Sequence, residues 1–175
     1  KQNKNKTVIM YPDNHYKSLV ENKLRDLNLT STRTFKYSSN PEVLTGEIEN
    51  LTNYSQRKKN LELRKKMFED KEDEQSLKQL ERLDQLYTLG GVNFDSVIII
   101  DFGNSLKSVL TSLAYTDVNQ EKVLITTVNQ WFDESIFYEN TIKNLYYPSI
   151  NYKEFKKYND NYFKAFNSYP NEITI

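Results

Sequence analysis

The chain has 175 residues, no cysteine, and 24 basic against 24 acidic side chains, so its formal net charge is zero. This length predicts one domain with a buried core, and the lack of cysteine excludes disulfides, thiol chemistry and thiolate zinc sites. A neutral chain has no overall field to attract nucleic acid, and no apolar run approaches the roughly 18 residues of a membrane helix.

The first elements predict a strand followed by a helix. Residues 7–11 form a short apolar strand, and Asp13 or Asn14 is placed to cap a helix over roughly 15–27. The helix is predicted to cover one face of a sheet because its apolar residues recur at helical spacing: Tyr16, Leu19, Val20, Leu24 and Leu27.

The next segment returns to a strand pattern and then starts another helix. Residues 32–37 alternate like a half-exposed strand. Asn40-Pro41-Glu42 then combines a cap, a first-turn proline and a carboxylate suited to the helix dipole.

Residues 45–89 predict a long helical insertion, since they contain almost no strand signal. A basic block at 57–66 and an acidic block at 69–74 indicate a helix pair or protruding arm with a solvated charged face, which also suits a docking surface. The apolar seam is narrow: Leu61, Met67 or Phe68, Leu77, Leu80, Leu83, and Leu86 or Tyr87. Leu89-Gly90-Gly91 is expected to end this region with a left-handed cap.

The apolar run Ser96-Val-Ile-Ile-Ile-Asp101 is followed by a helical pattern at 106–113 and a second strand at 122–128. Such runs without alternation are typical of strands buried on both faces of a parallel sheet. The pattern predicts a three-layer α/β/α domain with a mainly parallel sheet. We expect four strands to lie parallel with right-handed crossovers: 7–11, 33–37, 97–101 and 122–127.

The carboxyl ends of these strands predict the functional surface, because loops at that edge of a parallel sheet usually hold the ligand. Asp101 would set polarity, Phe102 and Trp131 would supply apolar contact, and Gly103 would let a backbone approach closely. The alternative for Asp101 is a helix cap, and for Trp131 it is core packing. The candidate binding residues are Tyr11, Asp13, Tyr16, Asp101, Phe102, Gly103, Thr126, Thr127 and Trp131.

The end of the chain predicts a short edge strand at 144–148, which Pro148 stops, and a last helix capped by Ser149 or Asn151. Aromatic residues form a stripe along this helix, and such a stripe is more often core than a stacking surface. Its members are Tyr152, Phe155, Tyr158, Tyr162, Phe163 and Phe166.

Enzymatic chemistry has little support in the sequence. His15 is the only histidine, which excludes a histidine pair on a metal, and its position indicates an exposed loop residue. Asp101 with Asp133 or Glu134 is a possible carboxylate pair, although helix capping explains such residues better. Gly90-Gly91 lacks the spacing of a phosphate loop. We therefore expect no catalysis, no metal and no cofactor.

A phosphoacceptor receiver domain is an alternative, since it needs acidic residues after the first and third strands and a hydroxyl after the fourth. Asp13, Asp101 and Thr126 or Thr127 follow that order. The receiver also needs a lysine after the fifth strand, where this chain has Tyr147-Pro148-Ser149, and its crossovers are shorter than the segment 45–89.

The order of several segments resembles the penicillin-binding-protein activator family of bacteria. These are Gly91-Val-Asn-Phe-Asp-Ser-Val-Ile-Ile-Ile-Asp-Phe-Gly, Leu113-Ala-Tyr-Thr-Asp-Val, Trp131, Phe155-x-x-Tyr-x-x-x-Tyr and Tyr169-Pro170. The resemblance implies one lobe of a type 1 periplasmic-binding fold, shared with leucine-binding-like receptors. Residues 1–175 would form this single lobe, and 150–175 would be a connector helix toward a lobe outside this chain.

By the same resemblance, the protein would be a non-catalytic envelope protein that regulates peptidoglycan synthesis. It would be periplasmic or anchored to the outer membrane as a lipoprotein, and its partner would be a peptidoglycan synthase or a small amino-acid-like ligand. The alternative within this fold is the substrate-binding protein of an amino-acid-type ABC transporter. Fold alone does not decide between these functions.

Overall fold

The computed structural model describes residues 5–29, 32–128, 144–148 and 151–170. In this part of the chain strands and helices alternate, apart from three consecutive helices before the third strand. The strands are β1 (Thr7–Pro12), β2 (Arg33–Tyr37), β3 (Ser96–Ile99), β4 (Leu124–Thr127) and β5 (Leu145–Tyr146). The helices are α1 (Lys17–Asp26), α2 (Pro41–Leu51), α3 (Tyr54–Glu69), α4 (Glu74–Asp84), α5 (Gly103–Tyr115) and α6 (Tyr152–Phe166).

The five strands form one parallel sheet in the order β2-β1-β3-β4-β5. The predicted parallel arrangement is therefore confirmed. Helices α2 and α5 pack over one face of the sheet, where the main core contains Val97 and Ile99 of β3. Helix α1 packs over the other face, where Ile9 and Tyr11 of β1 meet its buried residues. The chain is an α/β domain with helices on both sides of its sheet.

The boundaries of α1 correct two predictions. Neither Asp13 nor Asn14 is its cap, because the N-cap residue is Tyr16 and no side chain bonds there. Asn14 instead accepts the Tyr16 N–H at 2.9 Å and forms the turn before the helix. The apolar stripe is also narrower than predicted, since only Val20 and Leu24 are buried.

Local capping signals are correct at α2 and α6. Asn40 accepts the Glu42 N–H at 3.0 Å, with Pro41 in the first turn of α2. Asn151 accepts the Lys153 N–H at 3.0 Å and caps α6. These caps are short-range interactions, so the local sequence is enough to predict them.

The predicted insertion is helical, and it consists of most of α2 followed by the antiparallel pair α3 and α4. Lys65 and Asp84 join the pair through an ion pair of 2.8 Å. Of the predicted seam only Leu61 and Leu83 are buried, whereas Met67, Leu77, Leu86 and Tyr87 are exposed. Gly90 does not cap this region, because α4 ends at Asp84. Its positive φ of 104° instead belongs to the loop that leads to β3.

A buried arginine ties this insertion to the rest of the domain. Arg57 begins the basic block that was predicted to be solvated, yet it is only 5% exposed. Its guanidinium donates to the carbonyls of Gly90 at 3.1 Å, Thr116 at 2.9 Å and Asp117 at 2.7 Å. It also donates to the Thr88 hydroxyl at 2.7 Å. One side chain of α3 thus contacts both the loop before β3 and the end of α5.

The position of Arg57 has an electrostatic reason. Thr116 and Asp117 follow the last turn of α5, where unpaired carbonyls give the helix end a partial negative charge that favours a cation. The Asp117 carboxylate lies 3.7 Å from the guanidinium and accepts the Thr88 hydroxyl. Burial lowers the pKa of Arg57, and the charge of Asp117 opposes that change.

The aromatic stripe of α6 was predicted to be core, and this is wrong for most of its length. Phe155 is buried, but Tyr158, Phe163 and Phe166 are exposed. The rings contact one another instead, with 4.6 Å between the centroids of Tyr162 and Phe166.

We predict that Arg57→Lys lowers the free energy of unfolding by about 2–3 kcal/mol, because an ammonium cannot replace the fork of bonds that the guanidinium makes. Urea denaturation measures this difference. Arg64→Lys is the matched control, since Arg64 is exposed on the same helix. Equal losses for the two variants would show that the buried guanidinium geometry does not matter.

Candidate functional site

The loops after β1 and β3 leave the sheet at its topological switch point. In the sheet, β1 and β3 are neighbours. The connection after β1 leads to β2 on one side, whereas the connection after β3 leads to β4 on the other side. In open parallel sheets a crevice forms at this point, outside the carboxyl ends of the strands. The predicted residues Asp13 and Tyr16 follow β1, and Asp101, Phe102 and Gly103 follow β3. We call this surface the rim.

Asp101 is buried at the rim, and its carboxylate accepts hydrogen bonds from groups of the same domain. Its carboxylate accepts the Tyr37 hydroxyl at 2.6 Å, the Ser105 hydroxyl at 2.5 Å and the Phe102 N–H at 2.8 Å. The N-cap position of α5 belongs to Phe102, so Asp101 does not cap the helix by position. It nevertheless bonds the first turn through Ser105. The arrangement fixes the loop after β3 and does not aim this carboxylate at a ligand.

Tyr37 lies beside the rim, and the sequence pattern did not single it out. It ends β2, is almost fully buried, and reaches past the end of β1 to Asp101. Burial raises the pKa of Tyr37 above its usual value, and the charge and hydrogen bond of Asp101 raise the pKa further. A tyrosine at the inward position of an edge strand needs a hydrogen-bond partner for its hydroxyl. This requirement is the signal by which the sequence could have identified Tyr37 as part of a polar contact.

The two threonines of β4 also use their hydroxyls internally. Thr126 donates to the carbonyl of Val97 at 3.1 Å, and Thr127 donates to the carbonyl of Ile99 at 2.8 Å. Both bonds join β4 to β3. The structure therefore places both predicted binding residues toward the carboxyl end of β4, with their hydroxyls in bonds within the sheet.

At the end of β1 and in the loop after it, some side chains are held by contacts within the domain and others are exposed. Tyr11 is buried against α1 and donates to Glu21 at 3.3 Å. Asp13 forms an ion pair with Lys17 at 2.8 Å, and that hydrogen bond lowers the pKa of Asp13. Tyr16 is exposed, and its ring centroid lies 3.9 Å from that of His15.

The loop after β3 presents a half-buried Phe102 and an unusual backbone. Gly103 starts α5 with a φ of 53°, in the region that favours glycine. A groove of about 370 Å³ begins near the rim between α2 and α5, with Pro41 and Asn104 in its wall. Trp131, Asp133 and Glu134 lie outside the described residues, so their predicted roles stay predictions.

A larger cleft of about 530 Å³ lies at the amino ends of the strands, away from the rim. Arg57 is in its wall, but this side chain is committed to the bonds that hold the insertion. Among the described residues, no group of three or more histidine, cysteine, aspartate or glutamate side chains is placed to hold a metal. The rim therefore remains the better candidate for contact with another molecule.

The rim geometry does not suit phosphoryl transfer to Asp101. A phosphoacceptor needs an exposed carboxylate oxygen, whereas Asp101 is buried and accepts three hydrogen bonds. A receiver also needs a free hydroxyl after the fourth strand, but the hydroxyls of Thr126 and Thr127 are already donated to carbonyls.

No family model, curated protein or solved structure matches this chain. Within the described residues, no helix has the combination of length and apolar character that crossing a bilayer requires.

We predict that Tyr37→Phe lowers the free energy of unfolding by about 1–3 kcal/mol, because a buried carboxylate loses one hydrogen-bond donor. The variant should also change the pH dependence. In the parent, Tyr37 keeps its proton in the folded state but loses it in the unfolded state above about pH 10, so stability falls there by about 1.4 kcal/mol per pH unit.

Tyr37→Phe should remove that component, and urea denaturation between about pH 9 and 11 measures it. Tyr87→Phe is the control, since Tyr87 is highly exposed. If the parent and Tyr37→Phe lose stability in parallel above pH 10, burial and the neighbouring Asp101 do not hold the proton on Tyr37 in the folded state.

Proposed function

We propose that this domain acts by binding, as one lobe of a type 1 periplasmic-binding-like protein. Its function would be that of a penicillin-binding-protein activator-like regulator of peptidoglycan synthesis, in the periplasm or anchored to the outer membrane. The resemblance through residues 91–118 supports this choice, and the parallel five-stranded sheet is compatible with it. The partner would be a peptidoglycan synthase.

Binding is supported by the contrast between the polar groups near the rim that are bonded within the domain and the groups of the rim that are exposed. The rim carboxylates of Asp101 and Asp13 serve internal partners, and both threonine hydroxyls of β4 are donated to carbonyls. General acid and base catalysis needs a titratable group within reach of the substrate. His15 is such a group, but its ring lies against that of Tyr16, with 3.9 Å between the centroids, and the rim otherwise presents half-buried Phe102 and exposed Asn104 in the first turn of α5.

These groups suit recognition of a protein surface or peptide. Aromatic side chains supply much contact area for little loss of conformational freedom, and tyrosine also offers a hydroxyl. Asp101 and Tyr37 contribute indirectly, because their bond holds the ends of β2 and β3 together beside the rim. A loop that is already ordered loses less entropy on binding.

The groove beside the rim favours a second candidate, the substrate-binding protein of an amino-acid-type transporter. Its 370 Å³ lies within the range of small-molecule sites. Asn104 and Ser108 in its wall offer an amide and a hydroxyl for a small polar ligand. The two functions differ in ligand size, so one experiment separates them.

We predict that Tyr16→Ala combined with Phe102→Ala weakens binding of a peptidoglycan-synthase ectodomain by about tenfold or more, since aromatic anchors dominate interfaces. Calorimetry should test the ectodomain, muropeptides and free amino acids against the parent and this variant. Tyr87→Ala is the control, because it removes an exposed tyrosine from the helical insertion.

Saturable amino-acid binding without synthase binding would favour the transporter candidate over the activator. Such a ligand at about 100 times its Kd should stabilise the domain by about 2.7 kcal/mol. If all three probes bind the variant as tightly as the parent, or none binds the parent, the rim is not the functional surface.

A further inference from the structure

One face of the sheet is only partly covered in the described part of the chain. Parallel sheets normally carry helices over both faces. One row of paired residues crosses this face from β1 to β5: Ile9, Ile98, Thr126 and Tyr146. Helix α1 buries Ile9, but Ile98 on the central strand is 36% exposed and Tyr146 is 55% exposed. We call the part of this face on β3, β4 and β5 the open face.

Helix α6 and the residues just after it have an exposed aromatic side that matches this need. Phe163, Phe166 and Tyr169 are 40%, 65% and 70% exposed, and the Phe163 and Tyr169 rings lie 4.9 Å apart. The side opposite these rings is polar and basic, with the exposed lysines Lys153, Lys157 and Lys164. This division is typical of a helix that packs its aromatic side on an apolar surface and keeps its lysines in water.

We infer that the open face binds the aromatic side of α6 from a second copy of this chain, so that two copies exchange α6 reciprocally. The two surfaces are complementary in character and belong to the same chain. In the single chain Phe155 of the aromatic stripe is buried, but Ile98 on the open face and Phe166 on α6 both remain exposed. A reciprocal contact has twofold symmetry and is made twice in each dimer.

The dimensions suit this contact. A helix of 15 residues is roughly 22 Å long, which spans the short strands of the open face. With about 200 Å² for a whole ring, the exposed parts of the three rings offer roughly 350 Å² in each chain. Two such contacts, counted on both partners, reach the order of 1,000 Å² that a specific interface needs.

The link between β5 and α6 favours exchange between copies. Only residues 147–151 separate the two elements, and Pro148 restricts the backbone there. Short, restricted hinges favour domain swapping over closure within one chain. The formal net charge of zero adds no net repulsion between two copies.

Light scattering over a concentration series tests the dimer, with Phe166→Ser on α6 and Ile98→Thr on the open face. Each variant should raise the dimer dissociation constant by about tenfold or more. An equal mixture should dimerise better than either variant alone, because one of its two contacts then joins unaltered surfaces. Leu19→Ser is the control, since Leu19 is an exposed apolar residue of α1. Unfolding curves verify that each variant folds.

Because the chain has no cysteine, single cysteines identify the contact directly. Thr126→Cys and Phe163→Cys, made in separate chains and mixed under mild oxidation, should give a disulfide-linked dimer of unlike chains. A parent that stays monomeric overturns the inference. So does a dimer that only the α6 variant weakens, or one that links like chains alone. A double-cysteine chain that closes only on itself would place α6 on its own open face and would also overturn it.

Discussion

The buried guanidinium of Arg57 is the interaction on which the arrangement of the helical layer depends. The helices α2, α3 and α4 form a crossover that is far longer than a single helix needs to be. Helix α2 packs directly on the sheet, whereas α3 reaches the loop before β3 and the end of α5 through one side chain, which bonds the carbonyls of Gly90, Thr116 and Asp117. A buried charge of this kind is tolerated only because its donors are matched to acceptors. The same bonds satisfy carbonyls that the end of α5 leaves unpaired.

Much of the fold was predictable because it follows from local patterns. The parallel sheet follows from the apolar run of β3 and from strands separated by helices, and the cap at Asn40 follows from the three consecutive residues Asn40-Pro41-Glu42. Arg57 was not predictable, since it opens a run of basic residues that otherwise faces solvent. No local pattern distinguishes the one arginine that meets a distant helix end. Helix α6 is the opposite of Arg57, because its aromatic stripe predicts burial but most of the described stripe is exposed. The pattern does not specify which surface would cover these rings.

The candidate site shows the same division between position and contact. The ends of strands are a property of topology, so the sequence could place Asp101, Thr126 and Thr127 at the carboxyl ends of the parallel strands. Their partners are a property of packing across strands that lie far apart in sequence. Tyr37 and Asp101 are 64 positions apart, and the threonine hydroxyls cross from β4 to β3. The sequence pattern therefore identifies polar groups at the strand ends, but it does not show that most of them make hydrogen bonds within the domain.

The bond between Tyr37 and Asp101 also has a dynamic consequence. β2 is an edge strand, and such strands are usually among the first to open in local fluctuations, which hydrogen exchange of backbone amides detects. Here the last residue of β2 is tied past β1 to the start of the α5 segment, and the Asp13 N–H donates to the Tyr37 carbonyl at 2.7 Å. Fraying of β2 from this end must break both bonds, and each of them also orders a rim loop. The protection of the β2 amides thus reports how often both loops of the rim are ordered together.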